Sequence, residues 1–171
     1  MDVLASLQGL FRYQAWANGE LLDALEGLDA ARHASERQEA LRLVNHSLVV
    51  GRIFAAHLSR QPHGFAADNT PDTPALEALR TAVDACDGWY LDHIAGLAPE
   101  ALAEPWSFVF TDGDRGCMTR EEMLMHVLVH GTYHRGEVGR ILRQAGAALP
   151  WDTFAVHLHR SQPERRAVPA A

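Results

Sequence analysis

Apolar residues recur at helical spacing over four long segments of the chain. The segments lie near residues 2–28, 35–60, 73–97 and 119–145, and in each the apolar positions fall three or four residues apart. This spacing places the apolar side chains on one face of an α-helix. The pattern therefore predicts four long amphipathic helices.

Residue types at the segment ends predict where these helices begin and end. Short polar side chains accept hydrogen bonds from the free N–H groups of a helix start, proline favours the first turn, and glycine favours the end. The predicted markers are Asp2, the capping boxes Ser35 with Gln38 and Thr119 with Glu122, the pair Thr73–Pro74 at the start of the third helix, and Gly146.

The pattern changes to an alternation of apolar and polar residues between residues 105 and 118. Aromatic residues occupy every second position up to Phe110, and the tight-turn pair Asp112–Gly113 follows. A short hairpin is therefore predicted before the last long helix, and residues 151–159 are expected to form one more turn or short helix. The fold class is all-α: a four-helix bundle in a single domain over residues 1–160, with a flexible tail at 161–171.

Charge and composition narrow the function classes. The 171 residues carry a net charge of −7, and all 15 basic residues are arginine. An acidic chain without lysine is poorly suited to a phosphate backbone, so we expect no nucleic-acid partner. No stretch approaches the roughly 20 apolar residues of a membrane span, and the N-terminus lacks the features of a signal peptide, so a cytoplasmic location without membrane association is predicted. The two cysteines, Cys86 and Cys117, form no metal-binding or redox spacing.

Histidine spacing on the fourth helix indicates a metal site. His126, His130 and His134 follow one another at intervals of four, which places them on one helical face. About 0.03 such runs are expected by chance at this composition. Two imidazoles at i and i+4 can bind one metal ion, as in the HExxH helix of zinc proteins, but the glutamate of that motif is missing here. The pairs 126/130 and 130/134 are equivalent by spacing.

A third ligand must come from another helix. His46 is the histidine that lies on an apolar stripe of the second helix at mid-height, and we expect it to complete the site. Three neutral imidazoles leave a divalent ion with open positions for water or substrate. Glu137 lies on the same helical face as His130 and His134. It is either a residue that orients a ligand or acts as a base at the site, or an ordinary ion-paired glutamate. Tyr13 and Trp16 either face the site or belong to an aromatic core.

The segment 126–138, HVLVHGTYHRGEV, resembles the DinB/YfiT-like family of metal-binding four-helix bundles. The resemblance extends to residues 11–18, to Asn45–His46 and to residues 146–152. It implies an up-down-down-up bundle, commonly a homodimer, with zinc or nickel held by His46, His130 and His134. His126 is then a neighbour of the site and not a ligand.

Three functional hypotheses follow, all with a small-molecule substrate or ligand. Family members with a known reaction include S-transferases that use bacillithiol, mycothiol or glutathione, and a maleylpyruvate isomerase. The resemblance therefore implies a metal-dependent enzyme that transfers a low-molecular-weight thiol, because a metal favours the nucleophilic thiolate. The alternatives are a metal-dependent hydrolase, or a non-enzymatic metal-stabilised bundle that binds a ligand or partner. No catalytic residue beyond the ligands is predicted.

Overall fold

The computed structural model describes residues 2–167. It contains five α-helices, two strands and two short 3₁₀ helices: α1 (Val3–Glu26), α2 (Ala34–Leu58), α3 (Leu76–Ala95), a 3₁₀ helix (Pro99–Ala103), β1 (Pro105–Val109), β2 (Arg115–Thr119), α4 (Arg120–Gln144), α5 (Phe154–Ser161) and a second 3₁₀ helix (Pro163–Ala167). A mostly helical chain with one antiparallel hairpin before the last long helix is thereby confirmed. The up-down-down-up order of the bundle stays a prediction.

The four long helices contact one another in a closed ring. Helix α1 packs on α3 and α4, and α2 packs on the same two helices. Two apolar clusters fill the space between them, and each cluster draws on all four helices. This arrangement buries the apolar stripes that the periodicity predicts.

Polar side chains lie between the two apolar clusters. On α1, α3 and α4, the positions that separate one cluster from the other carry a set of polar residues, here called the polar layer: Gln14, Asn18, Asp87, His130, His134 and Arg135. Gln14, Asp87 and Arg135 are buried. The fold therefore places polar chemistry at mid-height in an otherwise apolar interior.

Two of the predicted helix starts are correct. Oδ1 of Asp2 accepts a hydrogen bond from the N–H of Leu4 at 3.0 Å. Thr119 and Glu122 form a complete capping box, with N···O distances of 3.2 and 2.7 Å. The end of α4 is also correct, because Gly146 adopts a φ of +76°, which glycine tolerates without strain.

At the other two starts the predicted capping residues are wrong, although each helix begins within three residues of its predicted position. No capping box forms at Ser35, because the chain already turns at Asp29, whose carboxylate accepts hydrogen bonds from the next N–H groups; α2 then begins at Ala34. Helix α3 begins at Leu76 and not at Pro74, because Ala75 is still extended with a ψ of 154°.

The hairpin and the C-terminal region complete the structure. Strands β1 and β2 pair in register from Pro105 with Thr119 to Val109 with Arg115, and the predicted short helix after residue 151 is α5. Within the predicted tail, Pro163–Ala167 form a 3₁₀ helix, and residues 168–171 lie outside the described residues. Over residues 2–167, no helix is long and apolar enough to cross a membrane.

Candidate metal centre

The packing of α2 against α4 brings three histidines together. His46 from α2 and His130 and His134 from α4 each offer a ring nitrogen, and these nitrogens lie within 4.8 Å of one another. The Nε2 atom of His130 is 3.1 Å from Nε2 of His46 and 3.2 Å from Nε2 of His134. These are the three residues that the sequence predicts as ligands; metal binding itself stays a prediction.

Hydrogen bonds assign the tautomers of two of these imidazoles. The Nδ1–H of His46 donates to the backbone carbonyl of Asp68 at 2.8 Å, and the Nδ1–H of His134 donates to Oε2 of Glu137 at 2.6 Å. A neutral imidazole carries one proton, so Nε2 of both rings has a free lone pair. Such outer contacts orient metal-binding histidines in known sites.

The three Nε2 atoms fit a cation better than they fit one another. A neutral His130 has a single proton and can donate to only one of the two facing Nε2 atoms, which leaves the other lone pair against a lone pair. Burial, followed by the nearby charges of His134, His46 and His126, lowers the pKa of His130 to about 3. His130 is therefore neutral at physiological pH, as a ligand must be. A set of three imidazoles suits zinc, nickel or copper.

Two further residues of α4, His126 and Glu137, lie beside the triad. His126 does not join it: its ring stacks on His130 at 5.5 Å between centroids and packs on Phe54 at 4.5 Å. His126 therefore lies next to the triad without joining it, as the resemblance implies. Glu137 holds the ring of His134, so of the two interpretations given by the sequence, the orienting one has the supporting contact.

Tyr13 and Trp16 lie under α5 and are not among the three grouped residues. Tyr13 packs edge-on against Phe154, and Trp16 contacts His157 at 5.3 Å between centroids. The hydroxyl of Tyr13 donates a hydrogen bond to Asp152. Aromatic packing is therefore the interpretation that the contacts support.

The polar layer contains a buried carboxylate that the sequence reasoning missed. Oδ2 of Asp87 accepts a hydrogen bond from Asn18 at 2.8 Å, and Oδ1 accepts one from Gln14 at 3.5 Å. Burial raises the pKa of Asp87 to about 6. The missed signal is positional, because Asp87 continues the stripe of Val83 and Tyr90 on the buried face of α3.

A cavity of about 50 Å³ joins this carboxylate to the triad. His130 and His134 line it from α4, Asp87 from α3 and Gln14 from α1, and most of the remaining wall is apolar. Cys86 also lines it, and burial raises the pKa of its thiol to about 12. This thiol stays protonated at neutral pH and is a poor nucleophile.

The fold and site define a helical protein with a three-histidine candidate metal centre between two of its helices. A family model described as the DinB family matches residues 2–166, and the chain belongs to the DinB family. It is 26% identical over 167 residues to the protein named Protein DinB of Bacillus subtilis (strain 168), covering 91% of this chain and 95% of that protein. No solved structure gives a significant match.

Proposed function

We propose that this protein binds one divalent metal ion, zinc or nickel, through His46, His130 and His134 on a four-helix-bundle scaffold. The observation that carries the proposal is the convergence of three Nε2 atoms whose tautomers are set, at two of the three rings, by hydrogen bonds on the opposite side. An unsatisfied buried polar group costs about 1–3 kcal/mol, and a shared cation would satisfy the Nε2 lone pair that the three rings cannot pair among themselves.

We further propose that the protein is a metal-dependent enzyme, and specifically a transferase that uses a low-molecular-weight thiol. The metal would supply Lewis acidity that favours the thiolate form of a bound thiol. The residues of the chain would hold the metal and shape the pocket: Glu137 orients the ring of His134, and most of the adjoining cavity wall is apolar. Cys86 stays protonated, and Cys117, exposed on β2, does not line the cavity, so the thiol would be supplied by the small-molecule substrate.

The first test of the metal site is metal analysis of purified protein together with four alanine variants. We expect His46→Ala, His130→Ala and His134→Ala each to lose most of the metal and to melt at a lower temperature, because binding to the folded state is lost. His126→Ala is the matched control and should keep near-stoichiometric metal. If His126→Ala empties the site while His134→Ala does not, the pair is 126/130 and the assignment is wrong.

Activity assays separate the transferase from the other two hypotheses. Bacillithiol, mycothiol and glutathione are offered with a panel of alkyl and aryl halides, and ester and amide hydrolysis is measured in parallel. Thiol-dependent turnover that His134→Ala abolishes supports the transferase. Thiol-independent cleavage indicates a hydrolase, and a metal-loaded protein with neither activity indicates a binding protein.

We also propose a homodimer, for which an exposed apolar stripe on α4 supplies the candidate interface. Met125, Val129 and Tyr133 lie four residues apart and are 47%, 70% and 63% exposed. A charge at the centre of the stripe should separate the subunits, so Val129→Glu is expected to halve the mass measured by light scattering. An unchanged dimer would place the interface elsewhere, and a monomeric wild type would refute the proposal.

A further inference from the structure

The cavity beside the histidine triad presents hydrogen-bond acceptors that the metal proposal does not use. Asp87 and Gln14, which line it, are only 7% and 6% exposed. Oε1 of Gln14 is buried and has no hydrogen-bond partner among residues 2–167. The orientation of this amide is set by Asp87, because its Nε2 donates to Oδ1 of the carboxylate. Two residues of the cavity wall therefore carry three acceptor oxygens between them, one of which is unpaired among residues 2–167.

Among residues 2–167, no cation is bonded directly to the carboxylate of Asp87. Its two hydrogen-bond donors are the uncharged amides of Asn18 and Gln14, and the second is long at 3.5 Å. Arg135 also lines the cavity and its charge acts on Asp87, but its hydrogen bonds go to other residues: its Nε donates to Asp152 at 2.9 Å and its Nη1 to Asn18 at 3.4 Å. A buried carboxylate with only neutral donors is unfavourable unless a cation joins it.

We propose that this cavity binds the primary ammonium group of a small ligand, held by Asp87 and Gln14 beside His130 and His134. An ammonium group has three N–H donors and no acceptor, which matches the three acceptor oxygens. An anion would meet only acceptors on these two residues, and an apolar group would leave them unpaired.

The size and position of the cavity limit the ligand further. A water molecule needs roughly 10–15 Å³ on the same measure, so about 50 Å³ takes an ammonium group and one or two carbon atoms. Because His130 and His134 line the same cavity, the rest of the ligand would extend towards the triad. If this ligand is also the substrate of the enzyme, that role rests on the proposed function. The ammonium site itself does not rest on the proposed function.

The first test compares two ligands of equal size on the wild-type full-length protein as purified. Isothermal titration calorimetry at pH 7.5 with ethylammonium chloride should show saturable binding, with sodium chloride at equal ionic strength as the blank. Ethanol, which has the same number of non-hydrogen atoms and no charge, should bind at least tenfold more weakly. Equal binding of the two would show that the cavity does not recognise the charge, and no saturable binding of ethylammonium would show that it holds only solvent; either result overturns the proposal. This comparison needs no variant.

Three variants then locate the binding group. Asp87→Asn should weaken ethylammonium binding at least tenfold, whereas Asp84→Asn, one turn earlier on the exposed face of α3, removes only a minor charge acting on Asp87 and should change binding less than twofold. Gln14→Met keeps the side-chain volume at position 14 and leaves the carboxylate of Asp87 in place, and it should weaken ethylammonium binding severalfold. If Asp87→Asn does not fold, the Gln14 variant alone tests the proposal. Equal losses in the Asp87 and Asp84 variants would indicate a general charge effect and overturn the proposal.

Metal content measured on the same samples separates this proposal from the metal-site proposal. Ethylammonium binding without bound metal would contradict the proposed metal function alone. Metal bound at full stoichiometry without ethylammonium binding would contradict the ammonium site alone.

Discussion

Replacing Asp87 with asparagine is expected to stabilise the protein at neutral pH. The carboxylate lies in the polar layer between two apolar clusters and is only 7% exposed. Asparagine has the same shape and no charge. Its oxygen can accept the hydrogen bond from Asn18, and its NH₂ group can donate to Oε1 of Gln14 once that amide turns over.

The size of the expected stabilisation follows from the pKa of the buried carboxyl group of Asp87. Burial is the largest contribution and raises the pKa of Asp87 from 3.8 to about 6. Because folding raises this pKa, the unfolded chain releases its proton first, near pH 3.8. The stability that the protonated group contributes below pH 3.8 is therefore lost as the pH rises through about 6. At about 1.4 kcal/mol per pH unit, ionisation of Asp87 costs on the order of 3 kcal/mol above pH 7. We therefore expect Asp87→Asn to gain about 1–3 kcal/mol there.

Urea unfolding of chelator-treated protein at pH 7.5 and pH 5.0 measures this gain. The advantage of the variant should fall to roughly half at pH 5.0, which lies between the two pKa values. Asp84→Asn, on the exposed face of the same helix, should change the free energy of unfolding by less than about 0.5 kcal/mol. A variant less stable than wild type at pH 7.5, or an advantage that does not depend on pH, would refute the reasoning.

Two further predictions concern α4. Glu137→Gln weakens the hydrogen bond to His134, so zinc affinity, measured by competition with a chelator, should fall about 10- to 100-fold, whereas Glu121→Gln on the same helix should not change it. Gly136→Ala should stabilise by about 0.5–1 kcal/mol in urea unfolding, because no described atom beyond the adjacent residues and the surrounding helical backbone lies within 4 Å of the added methyl group. Gly131→Ala should gain less, because its methyl group would lie 3.0 Å from a buried amide oxygen; equal gains would contradict the packing described.

The long helices and the hairpin were predictable because their signals are local. Apolar spacing, the Thr119–Glu122 box and the Asp112–Gly113 turn each act within a few residues. The two errors at helix starts arose where a neighbouring turn decided the outcome: the carboxylate of Asp29 starts the turn before α2, and an extended Ala75 delays α3. The motif at Ser35 and the motif at Thr73–Pro74 each give no information about the neighbouring turn that decides where the helix begins.

The histidine site was predictable only in part from spacing. The interval of four residues places His126, His130 and His134 on one face but does not say which two converge with His46. That choice depends on the height at which α2 meets α4, and the resemblance supplied it. In the structure His46 meets the pair 130/134, and His126 packs against Phe54 instead.

Asp87 escaped the sequence reasoning because its partners are far away in the chain. Its amide donors lie 69 and 73 residues earlier, on another helix. A single carboxylate on an apolar stripe carries no motif, so periodicity places Asp87 on the buried face of α3 but identifies neither its partners nor a role.

Burying the polar layer is unfavourable in free energy, unlike burying the apolar clusters on either side of it. Three imidazoles face one another with too few protons, and a carboxylate is buried with only neutral donors. Both defects are relieved by positive charge: a divalent metal at the triad and an ammonium group at Asp87. If Asp87→Asn is more stable and also binds ethylammonium more weakly, stability has been exchanged for binding at this position. A variant that is more stable and binds equally well would show that the buried carboxylate serves no ligand.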